Sequence, residues 1–165
     1  MDVNEKIVEA WLTTKNFFMM STIDYAQFHK DIDILAVNVA DKVIWDCEVK
    51  IRTGSTKISE TTRKRAGFVH IRDQLNNQER DDKIREIIGN DHDYEISKRL
   101  ITTYSYFGSP KNRAKWMAKF NAENIEVMFI EDMVHELEET AKGLALSKNE
   151  VIQILRLQNI KNKRR

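Results

Sequence analysis

One cysteine, Cys47, rules out an internal disulfide and offers no second thiolate for a zinc site, so it reads as a small buried apolar residue. One proline and five glycines leave little material for linkers or a glycine-rich phosphate loop, which argues against several domains and against a nucleotide-driven motor. His29, His70, His92 and His135 are scattered, and "HELEE" lacks the second histidine of a zinc-protease helix. No apolar run approaches the roughly 18 residues a membrane-spanning helix needs. The first turns carry Asp2, Glu5 and Glu9, unlike a secretory leader, so a cytoplasmic protein is expected.

What remains is an ordinary globular composition. Hydrophobic residues make up 41% and charged residues 32% of the chain, enough for a single domain over 1–165 with a compact core. The net charge of +1 points to no particular partner, but the charges are segregated. From Lys50 to Arg72 the basic residues Lys50, Arg52, Lys57, Arg63, Lys64, Arg65 and Arg72 face one acid, Glu60. A basic tail follows Glu150, with Arg156, Lys161, Lys163, Arg164 and Arg165. Between Lys119 and Lys142 run Glu123, Glu126, Glu131, Asp132, Glu136, Glu138 and Glu139 with no Lys or Arg.

The periodicities predict an alternation of helices and strands. Val3, Ile7, Val8, Trp11 and Leu12 form one helical stripe over 2–13, with Asp2 as its cap. Strands are expected at 17–21, 31–39 and 42–51, the last two joined by a tight turn around Ala40 and Asp41. In the second strand Asp33, Leu35 and Val37 share one face, and Ile32, Ile34 and Ala36 the other. In the third, Val43, Trp45, Cys47, Val49 and Ile51 share an apolar face opposite Ile44, Asp46, Glu48, Lys50 and Arg52. A polar, basic connection then leads to a helical pattern ending at Gly89. A strand at 99–107 and a helix at 111–121 capped by Ser109 and Pro110 come next. A strand at 125–130 and helices at 131–142 and 148–160 complete the chain, the last with Ser147 as its cap. This implies an α/β fold: a mixed central sheet of about five strands, antiparallel at its first three, with helices on both faces.

Asp33 near the head of a two-faced apolar strand, and Glu48 and Lys50 on its hairpin partner, are the residues that need an explanation. Two converging carboxylates repel unless a cation lies between them. Mg²⁺ takes oxygen ligands and keeps several waters, so two carboxylates suffice to hold it. Such ions stabilise charge on phosphoryl oxygens and make water nucleophilic near neutral pH, and an adjacent lysine can assist.

The order of helix, strand, strand bearing Asp33, strand bearing "Glu48-Val49-Lys50", helix and strand resembles the PD-(D/E)XK nuclease superfamily, that of restriction endonucleases and archaeal Holliday junction resolvases. The resemblance covers about residues 1–107 and includes Glu9 on the first helix. It implies a restriction endonuclease-like fold and a Mg²⁺- or Mn²⁺-dependent endonuclease acting on DNA, in which Asp33 and Glu48 bind the metal, Lys50 serves the attacking water and Glu9 supports the site. Ile32 stands where the nominal motif has proline, and Asp31 is a rival to Asp33. With no room for a target-recognition domain, selection of a DNA structure or targeting by a partner is expected, as is a homodimer that cuts both strands. Arg52, Lys57, Arg63, Lys64 and Arg65 are the candidate phosphate contacts.

Blander readings stand beside these. The face of Asp46, Glu48, Lys50 and Arg52 could be a solvated strand face with charges paired across the sheet. Glu9 could be a solvent-facing helix residue, and the basic runs an ordinary loop and a frayed terminus. The competing function is a non-catalytic nucleic-acid-binding or assembly protein that keeps the fold without turnover. Carboxyl groups facing opposite sides of the sheet, or plugged by an arginine with no vacancy for an ion, would overturn the nuclease reading.

Overall fold

The computed structural model describes residues 3–26, 30–52, 54–60, 67–89, 93–143 and 148–162. A helix α1 (Val3–Thr14) precedes an antiparallel meander of β1 (Phe18–Ala26), β2 (Lys30–Asn38) and β3 (Val43–Lys50). Two helices, α2 (Phe68–Leu75) and α3 (Gln78–Ile88), cross over to β4 (Glu95–Thr102), which runs parallel to β3. A single helical turn, α4 (Tyr104–Phe107), and α5 (Pro110–Ala122) lead to β5 (Ile125–Phe129), parallel to β4. The chain continues through α6 (Ile130–Gly143) and α7 (Glu150–Asn162). The sheet has the order β1-β2-β3-β4-β5, so the expected α/β fold with a mixed five-strand sheet holds.

Helices cover both faces because β2, β3 and β4 are apolar on both. On one face Ile34, Ala36, Cys47 and Ile101 pack with Val8, Trp11 and Leu12 of α1, Met133 and Leu137 of α6, and Ile152 of α7. On the other, Leu35 and Ile44 pack under Ile84 of α3, and Leu100 and Ile125 under Phe68, Ile71, Trp116 and Phe120 of α2 and α5. The expected apolar face of β3 is the α1 side, where Val43, Trp45, Val49 and Ile51 pack around the buried Cys47.

Several boundaries differ from the sequence reading. The helical pattern ending at Gly89 is two helices: the chain breaks at Asn76 and Asn77, and the Asn77 side chain accepts from Glu79 N and Arg80 N to start α3 afresh. The expected strand 99–107 begins earlier and stops at Thr102, because the Thr103 hydroxyl caps Tyr106 N and turns "YSYF" into α4. The Asn149 side chain caps α7 by accepting from Val151 N at 3.1 Å and Ile152 N at 3.3 Å. Asp2 and Ser147 lie outside the described residues. Ser109 and Pro110 start α5 as expected. The β2–β3 turn is pinned by Asn38, whose side chain donates to Asp41 Oδ2 and accepts from Asp41 N.

One irregularity positions the site. β1 continues to Ala26, well past the expected end, by passing through Thr22 at φ 55°, a left-handed conformation that a β-branched residue rarely adopts. Strand alternation would put Met19 and Ile23 on one face, yet Met19 packs on the α1 side and Ile23 under α3. The pairs Ser21–Ile34 and Ile23–Ile32 bracket Thr22 and Asp33, and β2 switches there as well. Ile34 packs toward α1, whereas Ile32 packs with Leu35 and Ile84, against the expectation that Ile32 shares the face of Ile34. The break in alternation falls at Asp33.

Candidate metal-binding site

The β2–β3 ladder ends at the pair Ile34–Cys47, although both strands continue. Past that point Val49 N donates to Asp33 Oδ2 at 2.6 Å, so a side chain takes a main-chain donor where the strands part. Glu48 is fully buried beside it, on the α3 face of β3. Its Oε1 meets the Lys50 ammonium, which is partly exposed. Its Oε2 is held at 2.9 Å by Nη1 of Arg80. The structure therefore brings Asp33, Glu48 and Lys50 together, as the sequence predicted.

Sequence reasoning does not find Arg80. This residue is completely buried and rises from the first turn of α3. Its Nε lies 3.0 Å from both oxygens of Asp46, its Nη2 2.7 Å from Asp46 Oδ1, and its guanidinium 5.8 Å from the centre of the Tyr25 ring. Lys98 on β4 completes the network, reaching Asp46 Oδ2 at 2.8 Å and Asp81 on α3. The ionic face of β3 is thus an internal network covered by α3 rather than a solvated surface. A signal existed in the sequence: Arg80 lies one helical turn before Ile84, on the stripe that continues to Ile87 and Ile88. A basic residue on an apolar stripe calls for buried acids.

The electrostatics leave a deficit of positive charge. Four carboxylates, Asp33, Asp46, Glu48 and Asp81, face three cations, Arg80, Lys50 and Lys98. Burial, followed by the charge of Glu48, pushes the Asp33 carboxyl up to about 7, despite Lys50 and the Val49 amide. Burial works to lower Lys50, but the charges of Glu48 and Asp33 outweigh it and hold the ammonium above its ordinary range. The same balance raises Arg80, with Asp46 and Glu48 overcoming the cost of burial.

Asp33 and Glu48 would offer a hard divalent ion two oxygen donors from separate strands, one a buried atom met by the Lys50 ammonium, and a carboxyl whose charge is under-compensated. Among the described residues no group of three or more His, Cys, Asp or Glu side chains gathers as a metal centre, so waters and backbone would complete the shell.

Glu9 is half-buried on α1, on the opposite face of the sheet. It lines a cavity of about 30 Å³ with Met19, Ser21 and Ile34, next to the break at Asp33, and a wider concavity of about 230 Å³ with Lys6, Asn149 and Val151. No hydrogen bond or ion pair among the described residues joins it to Asp33, Glu48 or Lys50. Arg52 is exposed, and its carbonyl accepts from the Thr103 and Ser105 hydroxyls, which dock the segment after β3 onto α4. Lys57 is exposed and donates to the Ser105 carbonyl. Arg63, Lys64 and Arg65 lie outside the described residues.

No helix among the described residues is long and apolar enough to cross a membrane. No family model and no curated protein matches the chain. One similar solved structure is a crystal structure of a "Protein of Unknown Function AF1548". It has a TM-score of 0.48 and 12% identity, over 87% of this chain and 71% of that one.

Proposed function

We propose that the chain is a metal-dependent endonuclease that hydrolyses DNA phosphodiester bonds, using Mg²⁺ or Mn²⁺ at Asp33 and Glu48. The observation that carries this reading is the buried, under-compensated pair of Asp33 and Glu48 where β2 and β3 part, with Lys50 at its solvent side. Asp33 would hold the ion through the oxygen that Val49 N leaves free, and Glu48 through Oε1. A bound ion would supply Lewis-acid stabilisation of the charge that develops on the phosphoryl group.

Lys50 then has a defined role. In the ion-free site the charges of Glu48 and Asp33 hold its ammonium above the ordinary range, and beside a bound ion it would serve as a hydrogen-bond donor and positive charge toward the attacked phosphate. Arg52 and Lys57 would contact the flanking phosphates. The same reading makes the protein a homodimer in the cytoplasm, each subunit cutting one strand, with selection of a DNA structure or targeting by a partner.

One observation favours a second reading, a nucleic-acid-binding or assembly protein without turnover: both oxygens of Glu48 already face cations, Lys50 and Arg80. Incubation with branched and linear DNA in Mg²⁺ or Mn²⁺ separates the two. Cleavage that disappears in Asp33→Ala and Lys50→Ala supports the nuclease. Cleavage that survives both refutes the site, and salt-sensitive DNA binding indifferent to Mg²⁺ and to Asp33→Ala supports the second reading.

A further inference from the structure

The position of Arg80 constrains what Glu48 can offer, and the constraint rests on the metal-site reading above. We infer that Arg80 is a positioning residue that reserves Glu48 Oε2, so that Asp33 and Glu48 present one oxygen each and hold a single divalent ion. The guanidinium cannot easily be displaced. It is fully buried, and its Nε and Nη2 are committed to Asp46, leaving Nη1 aimed at Glu48 Oε2 at 2.9 Å. Asp46 is fixed in turn by Lys98, and Arg80 by its place in the first turn of α3 behind the Asn77 cap. The planar fork gives the carboxylate a fixed orientation that a point charge would not.

The two cations on Glu48 therefore differ in kind. Lys50 is partly exposed on a flexible stem and can leave Oε1 when an ion arrives, moving toward substrate. Arg80 stays. On the other strand Val49 N occupies Asp33 Oδ2 in the same way. With Lys50 displaced from Oε1, each carboxylate would keep one oxygen tied to the protein and turn the other to an ion, so neither could bridge two ions through both of its oxygens.

The test is Mn²⁺ binding, read by electron paramagnetic resonance and isothermal titration and independent of catalysis. Wild-type protein is expected to saturate at one Mn²⁺ per chain, with binding lost in Asp33→Asn. In Arg80→Lys a shorter side chain with one nitrogen replaces a guanidinium that meets Asp46 through Nε and Nη2 and Glu48 through Nη1, so Glu48 Oε2 loses its fixed donor. Mn²⁺ should then bind at least tenfold more tightly, or a second ion should appear. Two ions bound to the wild type would overturn the inference whether or not the variant folds. One ion bound to the wild type and lost in Asp33→Asn, with folded Arg80→Lys unchanged or weaker, would overturn the role of Arg80 while leaving the nuclease reading intact. No saturable binding to the wild type, or binding that survives Asp33→Asn, would overturn both.

Discussion

The backbone amide of Val49 donates to the Asp33 carboxylate across 2.6 Å, tying β3 to a side chain of β2 at the point where the ladder between them ends. Two strands of one hairpin thus separate around a carboxyl instead of continuing to pair. The left-handed Thr22 sits opposite this point, and backbone held in a costly conformation persists only where surrounding structure imposes it.

The elevated Asp33 carboxyl predicts how ion uptake depends on pH. Below about 7 an entering ion must displace a proton from Asp33, so Mn²⁺ affinity should fall by up to tenfold per pH unit from about 7 downward and level off above it. Titrations between pH 5.5 and 8.5 check this, and cleavage should follow the same rise. A flat profile would mean that Asp33 does not take part in binding.

The same group predicts a stability change of unusual sign. The folded carboxyl titrates at about 7, above its ordinary value of 3.8, so between those values the folded chain keeps a proton that the unfolded chain has lost. This contribution to stability is present at low pH and disappears as pH rises toward 7. Asp33→Asn, which removes the charge and keeps the shape, should therefore stabilise the ion-free protein by on the order of 1 kcal/mol at pH 8 and by little at pH 4. Urea unfolding in the presence of a chelator measures the difference.

Arg80 and Lys98 share Asp46 but should differ in what their removal costs. Arg80→Ala leaves Asp46 and Glu48 buried with their chief counter-ion gone, a change that costs about 3–5 kcal/mol for buried pairs. Lys98→Ala leaves Arg80 on Asp46 and frees a more exposed Asp81, so its cost should be about 1 kcal/mol. Thermal and urea unfolding of the two variants would rank them, and equal destabilisation would refute the central place of Arg80.

How far the sequence could be read follows from what is local. Strand alternation put the apolar residues of β3 on the α1 side and Asp46, Glu48 and Lys50 on the other, because that pattern depends only on neighbouring residues. The caps at Ser109 and Gly89 were legible for the same reason. The switch at Asp33 was not, since it needs Thr22 in a conformation that its side chain disfavours, imposed by packing on both faces. Nor was the pairing of Arg80 with Asp46 and Glu48, which spans more than 30 residues and exists only once α3 lies on the sheet.

Arg52 and Lys57 offer a prediction about substrate. Both are exposed after β3, but the Lys57 ammonium already donates to the Ser105 carbonyl, while among the described residues Arg52 is anchored through its own backbone carbonyl. If both meet phosphates, Lys57 must give up a partner and Arg52 need not. Arg52→Ala should therefore weaken DNA binding more than Lys57→Ala. Removing one phosphate-neutralising cation should reduce the slope of log affinity against log salt by about 0.9 on duplex DNA. Neither variant should alter Mn²⁺ binding, because neither side chain touches Asp33 or Glu48. Fluorescence anisotropy over a range of salt concentrations checks this. Unchanged slopes in both variants would move the DNA path away from this segment.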